Sequence, residues 1–136
     1  MIFLDTGFFI ALFNPGDRLH LRAMAWAKAV DEPLLLTEHI LWESVNYFSA
    51  RANRPKAHAL VEHVQTEPAY DLVHATPELL AAGLRLHRER PDKDWSLTDC
   101  IAFALMEERG IKRALAYDQH FAQAGFEPLL RSDPPL

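Results

Sequence analysis

Four acidic residues stand where carboxylates can do chemistry: Asp5, Glu43, Asp99 and Asp118. Asp5 closes the apolar run Ile2-Phe3-Leu4 and precedes Thr6-Gly7, while Asp118 closes the run Arg113 to Tyr117 and precedes Gln119-His120-Phe121. Glu43 lies in a stretch with helical signals, Glu38 to Arg51, that has few charges between His39 and Ala50. A carboxylate in such apolar company faces a cleft or takes a metal. Asp99 ends Asp94-Trp95-Ser96-Leu97-Thr98-Asp99, at the start of an apolar helical stretch. Held close together, such acids would require divalent cations, which favour oxygen ligands. Each also has a purely structural reading. Asp5 and Asp118 fit helix N-caps, Glu43 fits a solvated helix face, and Ser96-x-x-Asp99 fits a capping box in which the acid only steadies the helix.

Other chemistries find less support. The seven histidines, at 20, 39, 58, 63, 74, 87 and 120, are dispersed and show no His-Glu-x-x-His spacing, which argues against a zinc enzyme and leaves most of them as surface or satisfied polar residues. Neither Gly-x-x-x-x-Gly-Lys nor Gly-x-Gly-x-x-Gly occurs, so the usual phosphate cradles are missing. An aspartyl phosphatase would want a second acid two residues after Asp5, where Gly7 stands. The lone Cys100 cannot form an internal disulfide, which fits a reducing compartment and makes the cytoplasm the expected location.

The elements that must position the acids are β-type runs, each followed by a longer helical stretch. The runs are Ile2-Phe3-Leu4, Leu34-Leu35-Leu36, Tyr70 to His74 and Arg113 to Tyr117, and their alternation with helices predicts a parallel α/β sheet. Helix starts are marked by Asp17, Thr37, Pro55, Thr76-Pro77 and Ser96, and Gly110 stops the stretch that begins at Leu97. Within it, Leu97, Ile101, Ala104 and Leu105 share a face expected to pack on the sheet. Ligands of such sheets collect beyond the carboxyl ends of the strands, where strand order reverses. Asp5 and Asp118 both occupy strand ends, and they meet if their strands are neighbours.

At 136 residues and 49% apolar composition the chain suits one domain with a real core. That domain is expected over residues 1–131, with a short Pro-rich tail at 132–136. The apolar start MIFLDTGFFIALF has no basic flank, contains Asp5 and reaches Asn14-Pro15-Gly16 too soon to span a bilayer, so a buried element and no membrane partner are expected. The formal charge of −5 argues against broad electrostatic adhesion to duplexes. A nucleic-acid substrate would then need local cations. Two basic groups are candidates, Arg51, Arg54 and Lys56, and Arg88, Arg90 and Lys93, with Trp42 or Trp95 to stack unpaired bases, although both groups also fit a solvated surface.

Taken in order, Ile2 to Thr6, Glu43 to Asn46, Asp94 to Asp99 and Tyr117 to Phe121 resemble the PIN-domain family, especially its VapC-like toxins. The resemblance covers nearly the whole chain. It implies a three-layer α/β/α sandwich around a mostly parallel sheet, with Asp5, Glu43, Asp99 and Asp118 as catalytic metal-binding acids and Thr6, Ser96 and Asp94 in support. It implies Mg²⁺, with Mn²⁺ able to substitute, hydrolysis of RNA to 5′-phosphate and 3′-hydroxyl ends, an antitoxin protein over the acidic cleft, and a homodimer built on an apolar helical face. The alternative is a non-catalytic module that binds protein or RNA.

Overall fold

Strand β1 (Ile2–Leu4) is buried along its whole length, as an unbroken Ile-Phe-Leu run requires: it has no polar side to show to water, so it fits a sheet covered on both faces. It lies at the centre of a five-stranded sheet of order β3-β2-β1-β4-β5 in which every pairing is parallel. Its neighbours are β2 (Leu34–Thr37) and β4 (Arg113–Leu115), and the edges are β3 (Tyr70–Val73) and β5 (Glu127–Pro128). The computed structural model describes residues 1–135, so the final residue of the Pro-rich tail lies outside the described residues.

Helices fill the connections. Between β1 and β2 run α1 (Thr6–Phe13) and α2 (His20–Ala29), and between β2 and β3 run α3 (Glu38–Tyr47) and α4 (Arg54–Thr66). The return crossing carries α5 (Pro77–Glu89) and α6 (Leu97–Arg109), and α7 (Gln119–Gln123) joins β4 to β5. Helix α1 touches α2, α3 and α4, while α5 lies along α6, giving the expected three-layer α/β/α sandwich. The chain moves outward from β1 through β2 to β3, then returns to β4 on the other side of β1. That reversal opens a crevice beyond the carboxyl ends of β1 and β4.

Local signals account for most boundaries. The Thr37 hydroxyl accepts the Ile40 N–H and the Thr76 hydroxyl accepts the Leu79 N–H, proline opens both α4 and α5, and Gly110 closes α6 at φ 67°. Three boundaries depart from expectation. Helix α2 starts at His20 because Asp17 accepts the Leu19 N–H in a preceding turn. Helix α3 stops at Tyr47, short of Arg51, and a 3₁₀ turn over Arg51–Asn53 leads into α4; the Ser49 hydroxyl takes the Val45 carbonyl where the next turn would begin. Strand β5 is only two residues long and contains a proline, which suits an edge and leaves no alternation to detect.

Helix α6 is buried over most of its circumference, through Cys100, Ile101, Ala102, Phe103, Leu105 and Met106, because α5 covers a second side. The contact is closest at Gly83, where an added Cβ would stand 2.4 Å from Ile101 Cγ1 and 3.3 Å from its backbone N and Cα. Gly83→Ala is therefore expected to destabilise the fold by about 1–3 kcal/mol in urea unfolding. Combining it with Ile101→Ala should cost less than the sum of the two single changes, since the double variant relieves the clash.

The start of the tail is held: the Trp26 indole donates to the Ser132 carbonyl at 2.8 Å, and Arg22 pairs with Asp133 at 2.9 Å. Among the described residues no helix is long and apolar enough to cross a membrane.

Candidate active site

Because β1 and β4 pair directly, their ends bring Asp5 and Asp118 together from opposite ends of the sequence. The Asp5 N–H donates to the Leu115 carbonyl at 3.3 Å, extending the contact to the acid itself. Glu43 and Asp99 approach from α3 and α6. All four acids, with Thr6, Asp94 and Ser96, line one open cavity of about 660 Å³.

Each acid is positioned differently. Asp5 occupies the N-cap position of α1 in extended backbone geometry, yet its side chain makes no capping hydrogen bond, so the carboxylate is left to the cavity. Glu43 is steadied across the α1–α3 contact by the Thr6 hydroxyl, which donates to Oε1 at 2.7 Å. Asp99 completes a true capping box: its N–H donates to Ser96 Oγ at 3.0 Å and its Oδ2 accepts the Ser96 N–H at 3.1 Å. Asp118 caps α7 by accepting the His120 N–H at 2.9 Å. For Asp99 and Asp118 the structural role is real, and it coexists with a place in the cavity.

His120 links these last two acids. Its Nδ1 donates to Asp99 Oδ2 at 3.1 Å and lies 3.4 Å from Asp118 Oδ1. The neighbouring Phe121 is fully buried, edge-on to Phe103 and tilted against Phe3, and this anchor fixes α7 at the cavity's edge. His120 was not distinguished from the other histidines by sequence; its position two residues after Asp118 is the signal that marks it. Tyr117 and Arg131 also line the cavity and were likewise unforeseen.

Electrostatics single out Asp5. Its carboxyl is pushed from an ordinary 3.8 up to about 7, chiefly by desolvation and next by the charge of Asp99; Glu43 and Asp118 add to the rise, and the Thr6 backbone N–H offsets part of it. The rise reports that negative charge is crowded around Asp5 and poorly offset there. A bound divalent cation would offset it, and the all-oxygen acidic donors suit Mg²⁺ or Mn²⁺. Among the described residues, no three His, Cys, Asp or Glu side chains are grouped to hold an ion as they stand. One oxygen each of Glu43, Asp99 and Asp118 is engaged in an internal hydrogen bond, and the other carries none among the described residues.

Thr6→Val keeps the side-chain shape and removes the donor to Glu43. We expect it to weaken Mn²⁺ affinity about tenfold by calorimetry, while Thr6→Ser stays near wild type.

Two expectations about substrate contacts are corrected. Trp95 cannot stack on a base, since it is buried against Phe103 and its indole donates to Gln123. Trp42 is exposed, but it lines a separate apolar groove with His39, Pro77, Leu80 and Leu97. Neither sequence-based basic group lines the acid cavity, and Arg90 is held by both oxygens of Asp92 at 3.0 Å.

The family model described as PIN domain matches residues 2–127. The 23S rRNA-specific endonuclease VapC20 of Mycobacterium tuberculosis, from strains CDC 1551 and H37Rv alike, is 31% identical over 128 residues, covering 93% of this chain and 95% of the relative. The crystal structure of Mycobacterium tuberculosis VapC20, titled a Sarcin-Ricin loop cleaving toxin, matches with a TM-score of 0.87 at 26% identity over 94% of this chain and 98% of that one. FitAcB from Neisseria gonorrhoeae shares the fold, with a TM-score of 0.69 at 18% identity over 95% and 99% of the two chains. All four cavity acids fall inside the span that the family model matches, and the chain belongs to the PIN domain family.

Proposed function

We propose that this protein is a metal-dependent endoribonuclease, the toxin of a toxin–antitoxin pair, which hydrolyses an RNA phosphodiester with a water nucleophile. The observation that carries the reading is the convergence of Asp5, Glu43, Asp99 and Asp118 from four separate elements in one open cavity, an arrangement of like charges that is costly without a cation. PIN-domain nucleases generally use a divalent metal. When bound, Mg²⁺ would acidify a water and offset the negative charge that builds on the phosphate and leaving oxygen.

The chain's own residues then have distinct tasks. Asp5 and Asp99 anchor the ion, with Ser96 fixing the Asp99 side chain. Glu43, held by Thr6, orients the metal or the attacking water, Asp118 completes the set, and Asp94 supports it from the cavity wall. Attack at phosphorus with departure of the 3′ oxygen leaves 5′-phosphate and 3′-hydroxyl ends. By analogy with the relatives, the substrate we propose is a structured ribosomal RNA loop, with an antitoxin segment as the cover of the open cavity. A homodimer is proposed on the apolar face formed by Trp42 of α3 and Leu80 and Leu84 of α5, all exposed in the single chain.

The test is cleavage of a labelled sarcin–ricin loop hairpin beside a pool of structured RNA, in Mg²⁺, Mn²⁺ or EDTA. Metal-dependent cutting that EDTA abolishes supports the reading. Folded protein, freed of any copurifying inhibitor, that cuts nothing in either metal would favour the non-catalytic binding module.

A further inference from the structure

The cavity poses an electrostatic problem for its own substrate. RNA is a polyanion, the cavity is lined by five acids with Asp94 among them, and the whole chain carries a formal charge of −5. One or two divalent ions would at most offset the charge of these acids and leave none for the flanking phosphates. Attraction to the backbone on either side of the cut needs cations that are close by and not already neutralised.

One arrangement meets both conditions. Tyr117, two residues beyond β4 and next to Asp118, has the Arg131 guanidinium 4.2 Å from its ring centroid and the Arg18 guanidinium 4.5 Å from it. Each arginine is also fixed by a hydrogen bond. Arg131 Nε donates to the Tyr117 carbonyl at 2.6 Å, and an Arg18 terminal nitrogen donates to the Tyr117 hydroxyl at 3.3 Å. Among the described residues neither has a carboxylate within salt-bridge distance, whereas the nearby Arg22 is spent on Asp133 and the Leu130 carbonyl. The positive field is felt by Tyr117, whose phenol is held below its ordinary value, first by the Arg18 hydrogen bond and then by the charges of Arg18, Arg131 and Arg22.

Position supplies the rest. Arg131 and Tyr117 line the acid cavity, and Tyr117 is shared with an adjoining hollow that Arg18 and Arg22 line. A strand whose scissile phosphate sits at the acids is thus led past Tyr117 towards Arg18. We propose that Arg18 and Arg131, stacked on Tyr117, grip backbone phosphates next to the scissile one and so set the path of the RNA across the active site. This rests on the ribonuclease reading above and adds to it the residues that hold the substrate. A planar guanidinium held by a ring and a hydrogen bond is already oriented for phosphate, so little rotamer freedom is lost on binding. The continuity with the acid cavity favours RNA over an acidic protein segment as the occupant.

The test measures binding of a labelled sarcin–ricin loop hairpin to the full chain over a range of KCl concentrations, with Ca²⁺ in place of Mg²⁺ to hold cleavage off. Arg18→Gln and Arg131→Gln should each weaken binding about tenfold and flatten the slope of log Kd against log salt by about 0.7, the change for one phosphate contact on a single strand. Arg18→Lys and Arg131→Lys should keep the wild-type slope. The Lys variant at 131 also separates loss of charge from loss of the bond to the Tyr117 carbonyl, should the Gln variant fold poorly. Wild-type slopes in both Gln variants would overturn the proposal, as would intact RNA binding combined with lost antitoxin binding, which would assign the pair to a protein partner. A wild type that binds no RNA at any salt would instead remove the ribonuclease reading and the proposal together.

Discussion

Asp5→Asn and Asp99→Asn should each lower single-turnover RNA cleavage on the order of a thousandfold, with the fold intact. The size follows from what is removed: several kcal/mol of transition-state charge stabilisation depend on a correctly held ion, and each 1.36 kcal/mol is worth about tenfold in rate. The variants separate chemistry from structure. Asp5 makes no side-chain capping hydrogen bond to α1, so its amide replacement removes no cap from the helix. Asp99 is half of a capping box, but the Ser96 hydroxyl still accepts the N–H of residue 99 in the variant and keeps α6 started. Asp118→Asn should lose less, roughly tenfold, because its carboxylate is 47% exposed and already engaged by His120. Near-wild-type cleavage by Asp5→Asn would sink the assignment of the acids, whatever the other variants do.

In metal-free protein the same Asp5→Asn change should raise stability while it destroys activity. The folded-state pKa of Asp5 is about 7 against an ordinary 3.8, so the native state holds its proton more tightly than the unfolded chain does. Stability from this group is therefore greatest below about pH 4, falls as pH rises towards 7, and is level above that. The variant lacks this loss. Its melting temperature in EDTA should match the wild type near pH 4, pull ahead through the interval, and stand roughly 10–15 °C higher at pH 8. Adding Mn²⁺ should close the gap, since a ligand that binds only the folded wild type stabilises it. A constant gap across pH would mean that Asp5 is not the strained group.

How much of this was legible in the sequence depends on the range of the interaction. Thr37, Thr76, Ser96 and Gly110 announce helix ends because a cap or a left-handed turn is decided within a few residues. The parallel sheet was legible too, since Ile2-Phe3-Leu4 and Leu34-Leu35-Leu36 have no polar face. Asp5 and Asp118 stood out as strand-end acids, but the pairing of β1 with β4 that joins them belongs to the topology, and only the resemblance bridged that gap. The hydrogen bond from Thr6 to Glu43 spans 37 residues, and that from Arg18 to Tyr117 spans 99, which is why the arginines on Tyr117 escaped notice while clusters adjacent in sequence drew it. Trp95 shows the opposite error: an aromatic beside acids looked available for stacking, but packing on Phe103 uses it up.

The central place of β1 has a consequence for when such an enzyme can act. Asp5 follows β1, but the neighbour that completes the crevice is β4, and Asp118, His120 and Arg131 follow that strand. A chain still being synthesised, or one cut after α5, would hold Asp5 and Glu43 without Asp99 and Asp118, the acids proposed to share an ion with them. On the proposed reading such a fragment would not cut RNA, because the cavity is complete only when the segment around β4 docks beside β1.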